Sequence, residues 1–479
     1  MSEKHCNGCA PHEMEAGEVD EKFCVTQTQL EAGFAAFAAD RASVVAKNSV
    51  TSGGLAGAVR NPEAAARSTM TFDVEVKQGE RCDQERSGRC WMFASLNTMR
   101  FRVIEKYSLK SFELSQAYPL FFDKLEKSNW FLENILDTLD EPRDGRLVQF
   151  LLADPVSDGG QWDMFRSLVK KYGVVPKEAM PETSCSSNTG SMNEFLTRYL
   201  RKCACGLREG HEAGKGADEL REAKRAMMAN VQSLLTVCLG QPPATFDVRL
   251  RDKDDKLVLS GTFTPKGFFD EAVGMDLDSY ISVISAPTAD KPFGRTYTVS
   301  RLGNVLEDHG VRYINLPPEE LKRAAIAQLR DNLPVWFGCD VGQSFLAKDG
   351  IMDLAACDAD TLFGFDVIAG FDKAQRLDYG ESLMTHAMVL EGVPRCRRQP
   401  DPLEGREQLG QGPRPRRLRH AGRLLVRRVR VPGGGGREVP ARAVATCLPR
   451  VRADRAGSLG PDGLAGVVRC SAACAAGSA

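Results

Sequence analysis

A cysteine that does chemistry needs a way to lose its proton, donors for the oxyanion it creates, and a base within reach. Cys90 follows Gly88 and Arg89, and Phe93, Leu96, Met99 and Val103 recur after it at three- and four-residue steps. That spacing predicts a helix over 90–106. It is entered from the polar loop Asp83-Gln-Glu-Arg-Ser-Gly-Arg, which holds Gly88. A helix N-terminus is one way to favour a thiolate. Gln84 stands six residues before Cys90, and its side-chain amide with the Cys90 N–H would make a two-donor oxyanion hole. A cysteine at a helix start is also a common structural residue, so position alone leaves both readings open.

The base must come from six histidines. His5 and His12 lie in a polar N-terminal stretch, and His420 lies in an unusual tail. His211 and His309 sit in charged, turn-like contexts, which predicts solvated rings. His386 lies inside the apolar run Leu383–Leu390, read as a buried strand; an imidazole there is either paired or functional.

The elements that must hold these groups follow from periodicity. Leu30, Phe34, Phe37 and Val44 predict a helix over 26–45. Further helices are expected over 112–128, 161–172, 192–201, 217–239 and 317–332. Phe246–Leu250 and Leu257–Leu259 flank the charged turn Arg251–Asp255 and read as a hairpin. Val335–Val341 and Leu383–Leu390 read as buried strands. Helices come mostly first and strands later, an α+β arrangement.

At 479 residues, 42% hydrophobic and 27% charged with net charge −1, the chain suits two or three lobes around a sizeable core. Nothing approaches eighteen apolar residues in a row, which excludes a spanning helix. The polar, acidic N-terminus reads as neither a secretory signal nor a transit peptide. Fifteen cysteines without an export signal predict reduced thiols in a cytoplasmic setting. His5, Cys6, Cys9 and His12 include a single Cys-x-x-Cys pair, so residues 1–25 read as a flexible, solvated extension and not a zinc site. Cys203 and Cys205 read as core thiols. Gly159-Gly160 reads as a tight turn, because no Gly-Lys-Ser/Thr follows to make a phosphate loop.

Gln84-Glu-Arg-Ser-Gly-Arg-Cys90-Trp91 resembles the nucleophile segment of papain-like cysteine peptidases. The Ser-Gly-Arg-Cys-Trp spelling is similar to that of the bleomycin hydrolase, or aminopeptidase C, branch. Five other segments carry the same resemblance: 144–150 (DGRLVQF), 158–164 (DGGQWDM), 171–174 (KYGV), 336–342 (WFGCDVG) and 381–388 (ESLMTHAM). The likeness runs from about residue 26 to 393. It departs at Asp83 and Glu85, and the first 25 residues are unmatched. It implies a papain-like two-lobe fold, helical around Cys90 and β-rich around His386, with large helical insertions between them. It implies that Cys90 is the nucleophile, His386 the base and Gln84 an oxyanion donor, with no metal or organic cofactor. It further implies a homohexamer whose chain end lies in the cleft, leaving room for peptide substrates with free N-termini and for amides such as bleomycin.

The family's orienting Asn belongs to a segment spelled close to W-x-V-E-N-S-W-G, which is absent. Residues 391–479 hold 18 Arg, no Lys and seven acidic residues, a local charge of +11, and no Phe, Trp, Tyr, Ile, Met or Asn. A folded domain of that length without an aromatic side chain is hard to pack. Leu403–Gly412 can be encoded as CTG GAA GGT CGA GAA CAG TTG GGG CAA GGA; read one base on, that message spells W-K-V-E-N-S-W-G-K. The same offset turns 425–436 into W-F-D-E-Y-V-Y-Q-V-V-V. It turns 458–466 into A-W-D-P-M-G-S-L-A, with a stop codon available at Val467-Val468. The expectation is that residues 393–479 are a one-base frameshift and not native-like. Two rivals remain. One is an inactive homologue or scaffold with a basic nucleic-acid-binding tail. The other is an acyl-transfer or transglutaminase-type Cys-His enzyme, which the Gln84-to-Cys90 spelling disfavours.

Overall fold

The computed structural model describes residues 21–67, 72–76, 79, 82–342, 345–346, 350–393 and 442–445. Contacts divide the chain into one unit from 1–61 and 357–370, and another from 62–356 and 371–479. His5, Cys6, Cys9, His12 and His420, and all of the tail beyond Val393 except 442–445, lie outside the described residues.

In the first unit, two helices, Gln27–Ala39 and Arg41–Gly53, stand where one is expected. Asp40 makes the break: its carboxylate accepts the N–H groups of Ala42 and Ser43, capping the second helix where the first stops. Arg60 bridges Cys357, and the Asp358 N–H donates to the Val59 carbonyl at 2.7 Å.

The second unit holds the helical core. Cys90–Tyr107 packs with Ala117–Asp137, Trp162–Tyr172, Gly190–Glu212 and Ala217–Leu239 around buried Trp91, Trp162, Phe165 and Leu196. The helix expected from residue 112 begins at 117 because its first residues are held extended. Leu114 bridges Pro176, and the Ser115 N–H donates to the Val175 carbonyl at 2.9 Å. The helix expected over 192–201 runs to Glu212, its buried stripe continuing through Cys203 and Leu207. Cys203 is indeed buried, but Cys205 faces outward and bonds the exposed Glu209, one helical turn on.

The hairpin forms as Phe246–Arg251 with Leu257–Phe263. Val335–Cys339 and His386–Leu390 pair antiparallel, with His386 opposite Cys339 and Leu390 opposite Val335. A four-stranded sheet runs in the order Arg442–Ala445, Tyr280–Ile284, Arg312–Asn315, Thr296–Thr298. Pro318–Arg330 contributes Leu321, Ala325 and Leu329 to a second core with Val335, Phe337, Met388 and Leu390. The architecture is α+β, with a helical layer before residue 240 and the β-rich part after it.

Candidate active site

Cys90 is the first residue of its helix. Arg89, at the cap, makes no side-chain capping bond to the helix, so the first N–H groups are left for other acceptors. The N–H groups of Cys90 and Trp91 both turn on the Cys90 sulfur. A third donor comes from across the chain, the N–H of Ala387, the residue after His386. Cys90 and the start of the His386 strand therefore meet, although 296 positions separate Cys90 from His386. The joint is reinforced by Trp336 on the neighbouring strand, whose Nε1 donates to the Trp91 carbonyl at 3.2 Å.

Burial dominates the electrostatics of the pair. Desolvation pushes the Cys90 thiol up, against the three N–H donors, and the nearby Asp158 carboxylate adds to the rise. Desolvation also pushes the His386 imidazole down. These effects favour the neutral thiol and the neutral ring. The helix donors expected from the sequence are present, but burial outweighs them. A neutral imidazole with a free lone pair can accept the thiol proton as sulfur attacks. His386 opens its strand and does not lie within it. Among the described residues no group hydrogen-bonds its ring.

Gln84 is half-buried in the loop leading to Cys90. Its Nε2 donates to the Ser87 carbonyl at 2.8 Å, and its buried Oε1 has no partner among the described residues. A primary amide carries two N–H groups, so one remains for another acceptor. Arg89 does not face the thiol. Its buried guanidinium grips Glu182 at 3.1 and 2.9 Å and reaches Ser87 Oγ at 2.8 Å. It clamps the loop and leaves the helix end to its own N–H groups.

Sequence reasoning missed what backs this loop. Asp158, which precedes the Gly159-Gly160 turn, accepts the Gly88 N–H at 3.1 Å, Thr189 Oγ1 at 2.5 Å and Asn193 Nδ2 at 2.8 Å. Its backbone carbonyl takes Trp91 Nε1 at 2.6 Å. Fully buried Lys124 pairs with its carboxylate at 2.6 Å and bonds the Val156 carbonyl. Lys127 bonds the Ser157 and Gly159 carbonyls and pairs with Asp123 at 2.8 Å. Burial opposes ionisation of Asp158, but Lys124, Thr189 and Asn193 hold its carboxyl well below the usual range. The glycines here serve close approach: a Cβ on Gly88 would lie 2.6 Å from Asp158 Cβ, and one on Gly160 2.6 Å from the Trp91 ring. Two lysines inside the apolar stripe Leu120, Phe121, Phe131 were the available signal, since buried lysines need partners.

The Peptidase C1-like family matches residues 24–400. The chain belongs to that family. Within the Peptidase C1-like family its relatives place it in the bleomycin hydrolase and aminopeptidase C branch. An aminopeptidase C of Streptococcus thermophilus is 46% identical over 360 residues, covering 75% of this chain and 80% of the relative. A bleomycin hydrolase of Gallus gallus is 42% identical over 315 residues, covering 65% and 69%. The crystal structure of PepW from Lactobacillus rhamnosis HN001 superposes with a TM-score of 0.76 at 44% identity, covering 78% of this chain and 83% of that one. The papain-like, two-lobe fold follows from these likenesses. No helix among the described residues is long and apolar enough to cross a membrane.

Proposed function

We propose that this chain is a cysteine-type aminopeptidase of the bleomycin hydrolase type, with Cys90 as nucleophile, His386 as general base and acid, and Gln84 with the Cys90 N–H as oxyanion donors. His386 takes the thiol proton as sulfur adds to the substrate carbonyl, and returns it to the leaving amine when the C–N bond breaks. Water then attacks the thioester, again with His386 as base, releasing the acid and restoring the thiol. Substrates are peptides with free N-termini, and amides of the kind bleomycin contains. The observation that supports this reading is the contact of Cys90 with the Ala387 N–H, the residue next to His386, which opens an apolar strand.

The family resemblance adds a cytoplasmic setting and a homohexameric assembly. We also infer that residues after about 393 are read one base out of frame. The segment that would orient the His386 ring is missing from the chain as written, and the family match stops at residue 400.

Cys90→Ala should lower turnover of aminoacyl-amide substrates by on the order of 10⁴- to 10⁶-fold, with the unfolding temperature little changed. Turnover at the parent rate would remove Cys90 from the mechanism. Labelling of Cys90 by an epoxide-type papain inhibitor separates a peptidase from a scaffold.

A further inference from the structure

Gly88 stands two positions before Cys90 and Trp91 one position after it. A single distant residue holds both. Asp158 takes the Gly88 N–H on carboxylate Oδ2 at 3.1 Å and Trp91 Nε1 on its main-chain carbonyl at 2.6 Å. Every other lone-pair direction of that carboxylate is also engaged. Thr189 Oγ1 bonds the same Oδ2 at 2.5 Å, and Asn193 Nδ2 and Lys124 Nζ meet Oδ1 at 2.8 and 2.6 Å. Trp91 is fixed on its other sides by the Trp336 Nε1 bond to its carbonyl at 3.2 Å and by Lys127, whose Nζ lies 5.1 Å from the ring centre. A buried ion pair that served stability alone would need only Asp158 and Lys124. The bonds to Gly88 and Trp91 add a link that spans the thiol.

We propose that Asp158 is a positioning residue for the reaction at Cys90, its carboxylate and its carbonyl together fixing the Cys90 N–H and sulfur between Gly88 and Trp91. This rests on the reading of Cys90 as the nucleophile and deepens it. The substrate carbonyl is met by a helix end whose two neighbours cannot drift, which is where misplacement is most costly to a displacement reaction.

The same carboxylate is a negative charge near the thiol and makes it harder to ionise. The other charges around the thiol and Asp158 are committed to partners. From Ala117–Asp137, Lys124 pairs with Asp158 and Lys127 with Asp123. Arg89 is held by Glu182. On Trp162–Tyr172, Asp163 takes Ser282 Oγ and Arg166 pairs with Asp278 and Asp308. Asp340, after Val335–Cys339, takes Ser382 Oγ. His386 opens the strand whose Ala387 N–H reaches the sulfur, and burial holds its ring neutral.

The test follows alkylation of Cys90 by iodoacetamide against pH in the full-length chain, read by mass mapping of its peptide. Asp158→Asn keeps an oxygen for Gly88 and removes the charge, so the alkylation midpoint should fall by about one pH unit. A residue that only braced the fold would leave the midpoint in place. Asp158→Asn strands Lys124 without its partner, so Lys124→Met/Asp158→Asn, which leaves no buried charge unpaired, is measured beside it and should shift the same way. Near-ultraviolet circular dichroism shows that each variant is folded under the assay conditions. Where the parent turns over an aminoacyl-amide, kcat of Asp158→Asn should fall about 10- to 100-fold with KM little changed. A parent-like midpoint in the folded variants overturns the proposal, as does an unchanged kcat where Cys90→Ala is inactive. The midpoint is read on the thiol itself, so turnover that survived in Cys90→Ala would fell the peptidase reading without deciding this measurement.

Discussion

At the scale of single residues, Gln84 is the position with the most to lose. Its nitrogen secures the Ser87 carbonyl and its oxygen is buried without a partner among the described residues. On its proposed role, Gln84→Ala removes one of the two oxyanion donors, so kcat should fall by about 10²- to 10³-fold. KM should change little, because the interaction is made mainly in the transition state. Steady-state kinetics on an aminoacyl-amide check this, and an unchanged kcat removes Gln84 from the oxyanion site. In the sequence, the Gln84-to-Cys90 spelling and the apolar run around His386 singled out these three residues. The partner of Arg89 was not legible. Glu182 lies 93 positions away, and nothing in local spacing distinguishes a guanidinium that serves a thiol from one that clamps a loop.

At the scale of elements, the Ala117–Asp137 helix braces the nucleophile loop through Lys124 and Lys127. Lys124→Met keeps the stem and removes the charge, leaving Asp158 ionised in a site only 16% exposed. The cost should be about 3–5 kcal/mol, read from urea unfolding at neutral pH. The sign with pH follows from the depressed Asp158 carboxyl. The parent's extra stability is present above the unfolded value of about 3.9 and is lost only as pH falls through the lower folded value. The gap between variant and parent should therefore close in strong acid, and a gap that is constant with pH would point to packing alone. Periodicity recovered the elements that hold these groups where one face stays apolar throughout, as for Ala217–Leu239, whose bounds match. It failed where tertiary partners decide. Residues 112–116 follow a helical rhythm yet pair with 175–177. The strands Tyr280–Ile284 and Arg312–Asn315 are too short to stand out from their surroundings.

At the scale of the whole molecule, the chain changes character near residue 393. The family match runs from 24 to 400, and the residues from 391 onward carry +11 while the rest carries about −12. Resequencing the native transcript across codons 388–412 should reveal one inserted or missing base near codon 393. Correcting it restores W-K-V-E-N-S-W-G and gives His386 its orienting Asn. A transcript that reads as written, matched by the mass of the natural protein, overturns the frame proposal and leaves a chain whose imidazole lacks that support. The fold class was legible in the sequence because the helical and β-rich parts occupy separate stretches. The division that joins 357–370 to residues before 62 was not, since it depends on contacts between segments about 300 positions apart.

The pairing of His386–Leu390 with Val335–Cys339 sets an order of events during synthesis. The ribosome releases the thiol early and the imidazole near the end. At about 5–20 residues per second, the 296 positions from Cys90 to His386 take roughly 15–60 s. Throughout that interval the emerging polypeptide holds Cys90, the proposed nucleophile, without His386, its proposed base. On the proposed roles, a chain still being synthesised gains activity only once the His386 strand has emerged and paired with Val335–Cys339.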